Sequence, residues 1–594
     1  MEIRRSLPAL FLASVKSYPR ERMFLTRQKG GDWEPLSSRQ ALEAVHEIAG
    51  GLIADGLEPG DRVALISENR WEWVLSDVAT HFCRGVDVPV YPTLPADQAR
   101  YIIADAGARF VIVSSAQQAK KVHDERDRLG QVEKVYSMEE GVAGTESLAH
   151  LRERGRKYLQ EHPGVLEERL ASLAPDDLAT LIYTSGTTGT PKGVMLTHKN
   201  FCSNVAAAAA AFSFEDGDLA LSFLPLSHVL ERMVTYVYLE KGATLAHVRR
   251  LERVADALRE VRPHVFATVP RLLERAYDGV MEQVGKARGA RRILAGKALR
   301  WADACAEAHM AGRRPGPLKG LRWKMADRVV LSKIREKLGG RLRFVISGGA
   351  AMPVHVGHFF WGVGIEVYEG YGLTETSPVL TANTPGHVRL GTVGRAFEGV
   401  ELRLADDGEV VARGPNIMQG YWNRREETEE VLRGEWLYTG DLGRVDDEGY
   451  LTLTGRKKEI IVLSTGKNVG PRAVEAVLEK SPFVTQVIAV GDDRPSIGVL
   501  LRANLERLEA WAGEQGLAWD SPESLLQRPE VRDLFRREIN SRQAHLAAYE
   551  KAHQFAFLPE ELTEENGLLT PTQKVRRRQV CARYADLIEG MYHK

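Results

Sequence analysis

The sequence predicts an α/β protein: a large multi-lobed N-terminal domain of mixed and parallel sheets with helices, followed by a small α+β C-terminal domain. Three observations carry this expectation. Short β-rich runs alternate with amphipathic helical segments through most of the chain. A long basic, Ala-rich stretch, Tyr277–Leu338, interrupts them without any strand signal. After about Val393 the pattern changes to short strands punctuated by Asp-Gly and Glu-Gly turns. At 594 residues the chain also exceeds what one hydrophobic core can fill.

In chain order, Leu7, Leu10, Phe11 and Val15 suit one face of a helix packed on the body, although a helix lying on a membrane fits the same spacing. The basic start is followed by no small-residue cleavage site, so no signal peptide is expected. Arg62–Ser67, Arg109–Ser114, Leu181–Thr184, Val265–Val269 and Arg343–Ser347 read as buried strands, with helices at Ser38–Asp55 and Leu251–Val261 between them. Ala206–Ala211 is a helix former that lets a neighbour pack closely. VELRLADDGEVVARG and LGRVDDEGYLTLTGR read as hairpins. A domain boundary is expected near Arg456–Lys458, dividing the chain into 1–455 and 456–594.

Composition narrows the function. The 80 Lys and Arg balance the 80 Asp and Glu, which argues against a dominant attraction to nucleic acid or an anionic membrane, so any polyphosphate must be met by a local site. Cys83, Cys202, Cys305 and Cys581 lie far apart with no CxxC pair, which suits a reduced, cytoplasmic setting better than a disulfide framework or structural zinc. No run reaches the ~18 apolar residues of a spanning helix. A peripheral contact at the inner face of a membrane remains compatible with these readings, as does a homodimer.

The richest segment is TLIYTSGTTGTPKGVMLTHKN. A buried strand runs into Thr184, Ser185, Gly186, Thr187, Thr188 and Gly189, a loop of small hydroxyls and glycines, with Lys192 just beyond. Glycines let backbone N–H groups approach an anion, hydroxyls add donors, and the lysine adds charge. This suits a phosphate cradle, yet it is not a Walker A loop: only two residues separate Gly186 from Gly189, and the lysine is followed by Gly193. A P-loop nucleoside triphosphatase is disfavoured by that spacing.

Tyr183–Gly193 resembles the signature loop of the acyl-adenylate-forming superfamily, which includes acyl-CoA synthetases, luciferases and peptide-synthetase adenylation domains. Five further segments resemble the family's motifs in the family's order: Leu224–His228 (LPLSH), Ser347–Ala350 (SGGA), Tyr368–Thr376 (YEGYGLTET), Tyr438–Asp441 (YTGD) and Gly455–Glu459 (GRKKE). LPLSHVLER, the insertion at 277–338 and NGLLTPTQK together resemble the long-chain fatty acyl-CoA synthetase branch.

The resemblance implies ATP, Mg2+ and coenzyme A as cofactors and co-substrates, a fatty acid as substrate, and a mobile C-terminal domain. It implies that Gly349, Ala350, Gly370, Tyr371 and Gly372 border adenine, and that Thr374 contacts phosphate. Glu375 would hold magnesium, Asp441 would accept the ribose hydroxyls, and Arg456 would add charge near the nucleotide. Lys574 would stabilise charge at the in-line transition state. Lys458 falls at the hinge position and Gly466 in the thiol tunnel. His228 would border the acyl pocket, followed by the apolar Val229, Met233, Val234 and Val237. Some long-chain relatives carry a gating tryptophan four residues after this histidine; here that position is Arg232, so any gate must differ. Arg576–Arg578 is open to two readings, a solvated helix face or a contact to the coenzyme. A carrier-protein acceptor, a luciferase-like oxidative second step and a catalytically silent binding protein remain as alternatives.

Overall fold

The computed structural model describes residues 3–27, 31–185, 190–570 and 574–592. The chain forms two compact units. The larger comprises 1–403, 411–439 and 445–452, and the smaller comprises 404–410, 440–444 and 453–594. The chain thus crosses between units several times before settling in the smaller one.

In the larger unit the β-branched run Arg62–Ile66 forms the middle of an eight-stranded sheet. It pairs in parallel with Val86–Val90 on one side and Phe110–Val113 on the other. Strand β1 (Leu178–Ser185) joins Val86–Val90 in parallel, and β2 (Pro191–Thr197) returns antiparallel to it. Both faces of such a sheet are covered, which explains runs of apolar residues without alternation. A nine-stranded sheet carries Leu219–Ser222, Val265–Thr268, Phe344–Ser347 and β3 (Glu366–Gly372) side by side in parallel. Antiparallel strands close both of its edges. The sequence-predicted strands all form, β1 being longer than expected at both ends because its partner β2 extends the ladder.

Leu7–Ser17 is a helix capped by Ser6, with Leu7, Leu10 and Phe11 buried against the body and Val15 half-buried. Helix α1 (Val229–Glu240) is buried along its whole length. The insertion is helical, as its strand-free sequence predicts, but begins earlier, at Pro270, where proline suits the first turn. Within it, α2 (Ala290–Met310) buries Ala298, Ala302, Cys305 and Ala306 on one face. That small-residue stripe allows a close approach: a Cβ on Gly362 would lie 3.0 Å from the Ala302 backbone. Helix α3 (Pro317–Ala326) follows. Among the described residues no helix is long and apolar enough to cross a membrane.

The smaller unit has its own core around the strands Val484–Val490, Ile497–Ala503 and Ala552–Phe557. Phe535 stacks on Phe555 there and meets Phe557 edge to face, with ring centroids 4.8 Å apart.

Candidate functional site

In the larger unit most candidate residues fall at or just beyond the carboxyl ends of strands, where open parallel sheets bind ligands, and Lys192 reaches the same edge from the start of the antiparallel β2. β1 and β2 register Thr184 opposite Lys192 and Ser185 opposite Pro191. Gly186, Thr187, Thr188 and Gly189, and the Ser185 side chain, lie outside the described residues. Gly193 brings β2 close to Tyr183, whose Cζ would be 3.0 Å from an added Cβ.

Phe344–Ser347 ends in Gly348, whose N–H donates to the Thr268 carbonyl at 3.1 Å; Gly349 then turns with φ +83° and, like Ala350, is exposed. Beside it, Glu369 of β3 is buried and accepts from the Met352 N–H at 2.9 Å, tying the SGGA loop to the strand. Burial pushes the Glu369 carboxyl up to about 7. Gly370, Tyr371 and Gly372 complete β3, with Tyr371 mostly buried. Gly372 has no room for a side chain, because its Cβ would sit 1.7 Å from the Pro378 carbonyl oxygen.

Thr374 and Glu375 follow in a single 3₁₀ turn. Two bonds locate Glu375: its backbone carbonyl accepts from the Met418 N–H at 2.9 Å, and its Oε1 accepts from the Tyr421 hydroxyl at 2.8 Å. The Tyr421 ring in turn lies under Lys192, with Nζ 5.2 Å from its centroid. Tyr421 therefore links Lys192 to the Glu375 carboxylate. Its own strand, Gly420–Tyr421, pairs with β2. Burial first, and then the Glu375 charge, pushes the Tyr421 phenol far up, so it stays a donor. Sequence reasoning missed Tyr421; the GYW run at 420–422 was its only signal, and only pairing with β2 gives it meaning. One carboxylate with one hydroxyl nearby suits magnesium, which keeps waters and phosphate oxygens as its remaining ligands. Among the described residues no cluster of three or more His, Cys, Asp or Glu offers a complete metal cage.

His228 caps α1, its Nδ1 accepting from the Leu230 N–H at 3.2 Å. Val229, Met233, Val234 and Val237 are all buried along the helix it caps. Arg232 is buried too and is no gate. Its Nη2 meets Asp77 Oδ1 at 2.5 Å, its Nη1 meets Asp87 Oδ2 at 3.0 Å, and Nη1 also donates to Thr180 Oγ1 at 2.7 Å. Phe201 and Trp73 flank the guanidinium, their centroids 5.2 and 5.7 Å away. A side chain so held cannot swing.

In the smaller unit, Asp441 sits inside the strand Trp436–Val445, which passes Gly440 at φ +71° without ending. Asp441 Oδ1 accepts from Arg456 Nε at 2.8 Å. Gly440 N–H donates to Glu409 Oε1 at 2.8 Å, and Lys457 Nζ reaches Glu409 Oε2 at 2.9 Å. Lys458 is exposed in the short turn Lys457–Glu459. Gly466, at φ +76°, is exposed at the tip between Ile461–Val462 and Asn468–Val469, where no atom lies within 4 Å of an added Cβ.

Lys574 is exposed on a loop with a buried stem. Leu568 and Leu569 are buried, Leu569 bridges Val575, and the Thr570 N–H donates to the Lys574 carbonyl at 2.8 Å. The Lys574 N–H donates back to Thr570 Oγ1 at 3.0 Å. The solvated-face reading of the basic run fails at Arg577. It is largely buried, with Nη1 donating to the Ala489 carbonyl at 2.7 Å and Nη2 to Glu475 at 2.6 Å, so it holds the small unit together.

The AMP-binding enzyme model matches residues 11–422, and the AMP-binding enzyme C-terminal domain model matches 458–594. The chain belongs to the AMP-binding enzyme family. It is 36% identical over 573 residues to the long-chain-fatty-acid–CoA ligase FadD15 of Mycobacterium bovis, covering 95% of this chain and 93% of that one. It is 33% identical to the peroxisomal long chain acyl-CoA synthetase 7 of Arabidopsis thaliana, covering 98% and 85%. In fold it is similar to the anthranilate CoA ligase AuaEII in complex with anthranoyl-AMP, at TM-score 0.72 and 20% identity, with 99% of each chain covered. It is also similar to a carboxylate reductase adenylation domain from Mycobacterium chelonae, at TM-score 0.76 and 20% identity, covering 100% of this chain and 92% of that one.

Proposed function

We propose that this member of the AMP-binding enzyme family is an AMP-forming ligase joining long-chain fatty acids to coenzyme A. The observation that carries the reading is the Lys192–Tyr421–Glu375 constellation at the strand ends, in a chain whose whole length aligns with long-chain ligases. In the first half-reaction a carboxylate oxygen attacks the α-phosphorus of ATP, and the bond to pyrophosphate breaks. Two anions meet, so charge must be neutralised and the groups aligned. Lys192 and the N–H groups of the Thr184–Gly189 loop would hold the outer phosphates. Glu375 would hold magnesium, which when bound would supply the positive charge that offsets those phosphates. Tyr371, Gly349 and Ala350 would enclose adenine, Asp441 the ribose, and Arg456 would steady Asp441. Lys574 is the cation for the transition state.

In the second half-reaction the thiolate sulfur attacks the acyl carbon, and AMP leaves with the carboxyl oxygen. One rigid arrangement serves both steps poorly, which favours a small domain of about 456–594 turning on a hinge near Lys458 and bringing the bare Gly466 turn to the thiol path. Acyl chains gain about 0.8 kcal/mol per buried methylene, so His228 and the apolar start of α1 are the expected pocket wall. The chain would work in the cytoplasm on acid drawn from a membrane it touches peripherally, and a homodimer is compatible with this.

The test is incubation with magnesium-ATP and palmitate, with and without coenzyme A, following pyrophosphate and acyl products by mass spectrometry. Palmitoyl-CoA is the expected product. Acyl-adenylate that persists despite coenzyme A would redirect the reading to a carrier-protein acceptor. No pyrophosphate with any acid would leave a silent binding protein.

A further inference from the structure

The helical insertion breaks the rule that apolar stripes turn inward. Of the fifteen exposed large apolar side chains among the described residues, seven fall between Met281 and Val329. Scattered singly they would need no explanation; concentrated in one insertion they do. On α3 and the turn after it, Leu318, Leu321, Met325 and Val329 recur at helical spacing and are 62%, 58%, 54% and 44% exposed. The inward contacts of this helix are made instead by Trp323, whose Nε1–H donates to the Gly362 carbonyl at 2.8 Å, and by buried Ala326. At the start of α2, Ile293 and Leu294 are exposed as well, while its small-residue face packs inward.

Charge selects what covers this face. The chain as a whole is neutral, yet residues 286–328 carry twelve Lys and Arg against three Asp and Glu. At helical spacing Lys319 and Arg322 flank the α3 stripe on one side, and Lys324 and Arg328 on the other. An outward apolar stripe between rows of cations is the pattern of a helix lying in a lipid interface, with leucines among the acyl chains and basic groups at the phosphates. A polyanion such as nucleic acid would use the cations and leave the leucines in water.

We propose that α3, with the start of α2, is a docking surface for an anionic lipid bilayer. This goes beyond the ligase reading, because it names the element that meets the membrane and the lipid charge it requires. The stripe replaces water with acyl chains, and the flanking cations make attachment dependent on lipid charge and salt.

The test is flotation of the full chain with vesicles containing phosphatidylglycerol or made of phosphatidylcholine alone. The intact protein should float with the anionic vesicles on the order of tenfold better than with the neutral ones, and raised salt should release it. Leu321→Ser/Met325→Ser should weaken flotation on the order of tenfold, and Arg322→Glu/Arg328→Glu by a similar factor. Thermal melting checks that both variants are folded. Acyl-CoA synthesis from detergent-dispersed acid should be unchanged in each. Absence of flotation with anionic vesicles, or flotation equal in both folded variants, overturns the proposal. So does a dimer that the serine variant splits while vesicles bind nothing, which would give the face to a second copy. Flotation is read without turnover, so its failure and a failure of the ligase reading are distinguishable.

Discussion

Arg232 and Lys574 are two cations singled out by neighbouring motifs, and the fold places them in opposite settings. Arg232 lies in the core, shared between Asp77 and Asp87 and walled by two aromatic rings. Burial would lower its charge affinity, but the two aspartates hold the guanidinium ionised. Its charge is thereby consumed inside the fold. Lys574 has a buried stem in Leu568 and Leu569 but presents its side chain at the surface of a loop. A cation locked in the core supports architecture. A cation carried on an anchored loop can serve a step that occurs only in one domain arrangement. The difference also explains why the gate position carries no gate here.

Substituting each cation should separate the two roles. Arg232→Met leaves Asp77 and Asp87 buried without their partner, and breaking such a pair typically costs about 3–5 kcal/mol. Chemical denaturation should show that loss, and any fall in turnover should track the unfolded fraction. Lys574→Ala should leave the denaturation midpoint unchanged. It should slow pyrophosphate release on the order of 10²–10³-fold, the usual cost of a transition-state donor. Thioester formation from supplied acyl-adenylate should be nearly unaffected, and a fall there equal to that in the first step would break the contrast.

Tyr421 falls between these extremes, since in the proposed reading it would position the magnesium-binding carboxylate rather than touch substrate. Tyr421→Phe keeps the ring under Lys192 and removes the hydroxyl that Glu375 accepts. Losing a hydrogen bond to a charged group costs about 1.5–3 kcal/mol at most. The magnesium concentration for half-maximal rate should rise on the order of tenfold, with a smaller change in kcat at saturating magnesium. A purely structural role would lower stability without moving the magnesium requirement.

The parallel strands were legible because apolar runs such as Arg62–Ser67 suit a sheet covered on both faces. The motif residues were legible because the strand ends that present them are themselves marked by glycine and hydroxyl residues. Arg232 was visible, but its partners were not: Asp77 and Asp87 are about 150 residues away and lack any local signal. Tyr421 escaped for the same reason, since pairing with β2 is non-local. The lack of strand signal and the Ala-rich composition marked the 277–338 insertion as helical but could not say which face turns outward, because an inward and an outward stripe have the same spacing.

Glu369 offers the finest test, as a buried carboxyl with no ion pair among the described residues. Its carboxyl is pushed up to about 7 by burial, from an ordinary 4.5, so between those values the folded protein holds a proton that the unfolded chain has released. Stability from this group is therefore fully present below pH 4.5 and is lost as pH rises through about 7. Arg232 keeps Asp77 low, so that aspartate makes the reverse contribution and is lost only in strong acid. Glu369→Gln retains an oxygen to accept from the Met352 N–H but cannot ionise. Its denaturation free energy should lack the component of about 1–3 kcal/mol that the parent loses between mildly acidic and neutral pH. Adenylation should change little at low pH and improve slightly at neutral pH, where the parent begins to ionise beneath the SGGA loop. An unaltered pH slope in the variant would mean that the carboxyl is reached by water in solution, and the SGGA loop would then be looser than the Lys192–Tyr421–Glu375 side.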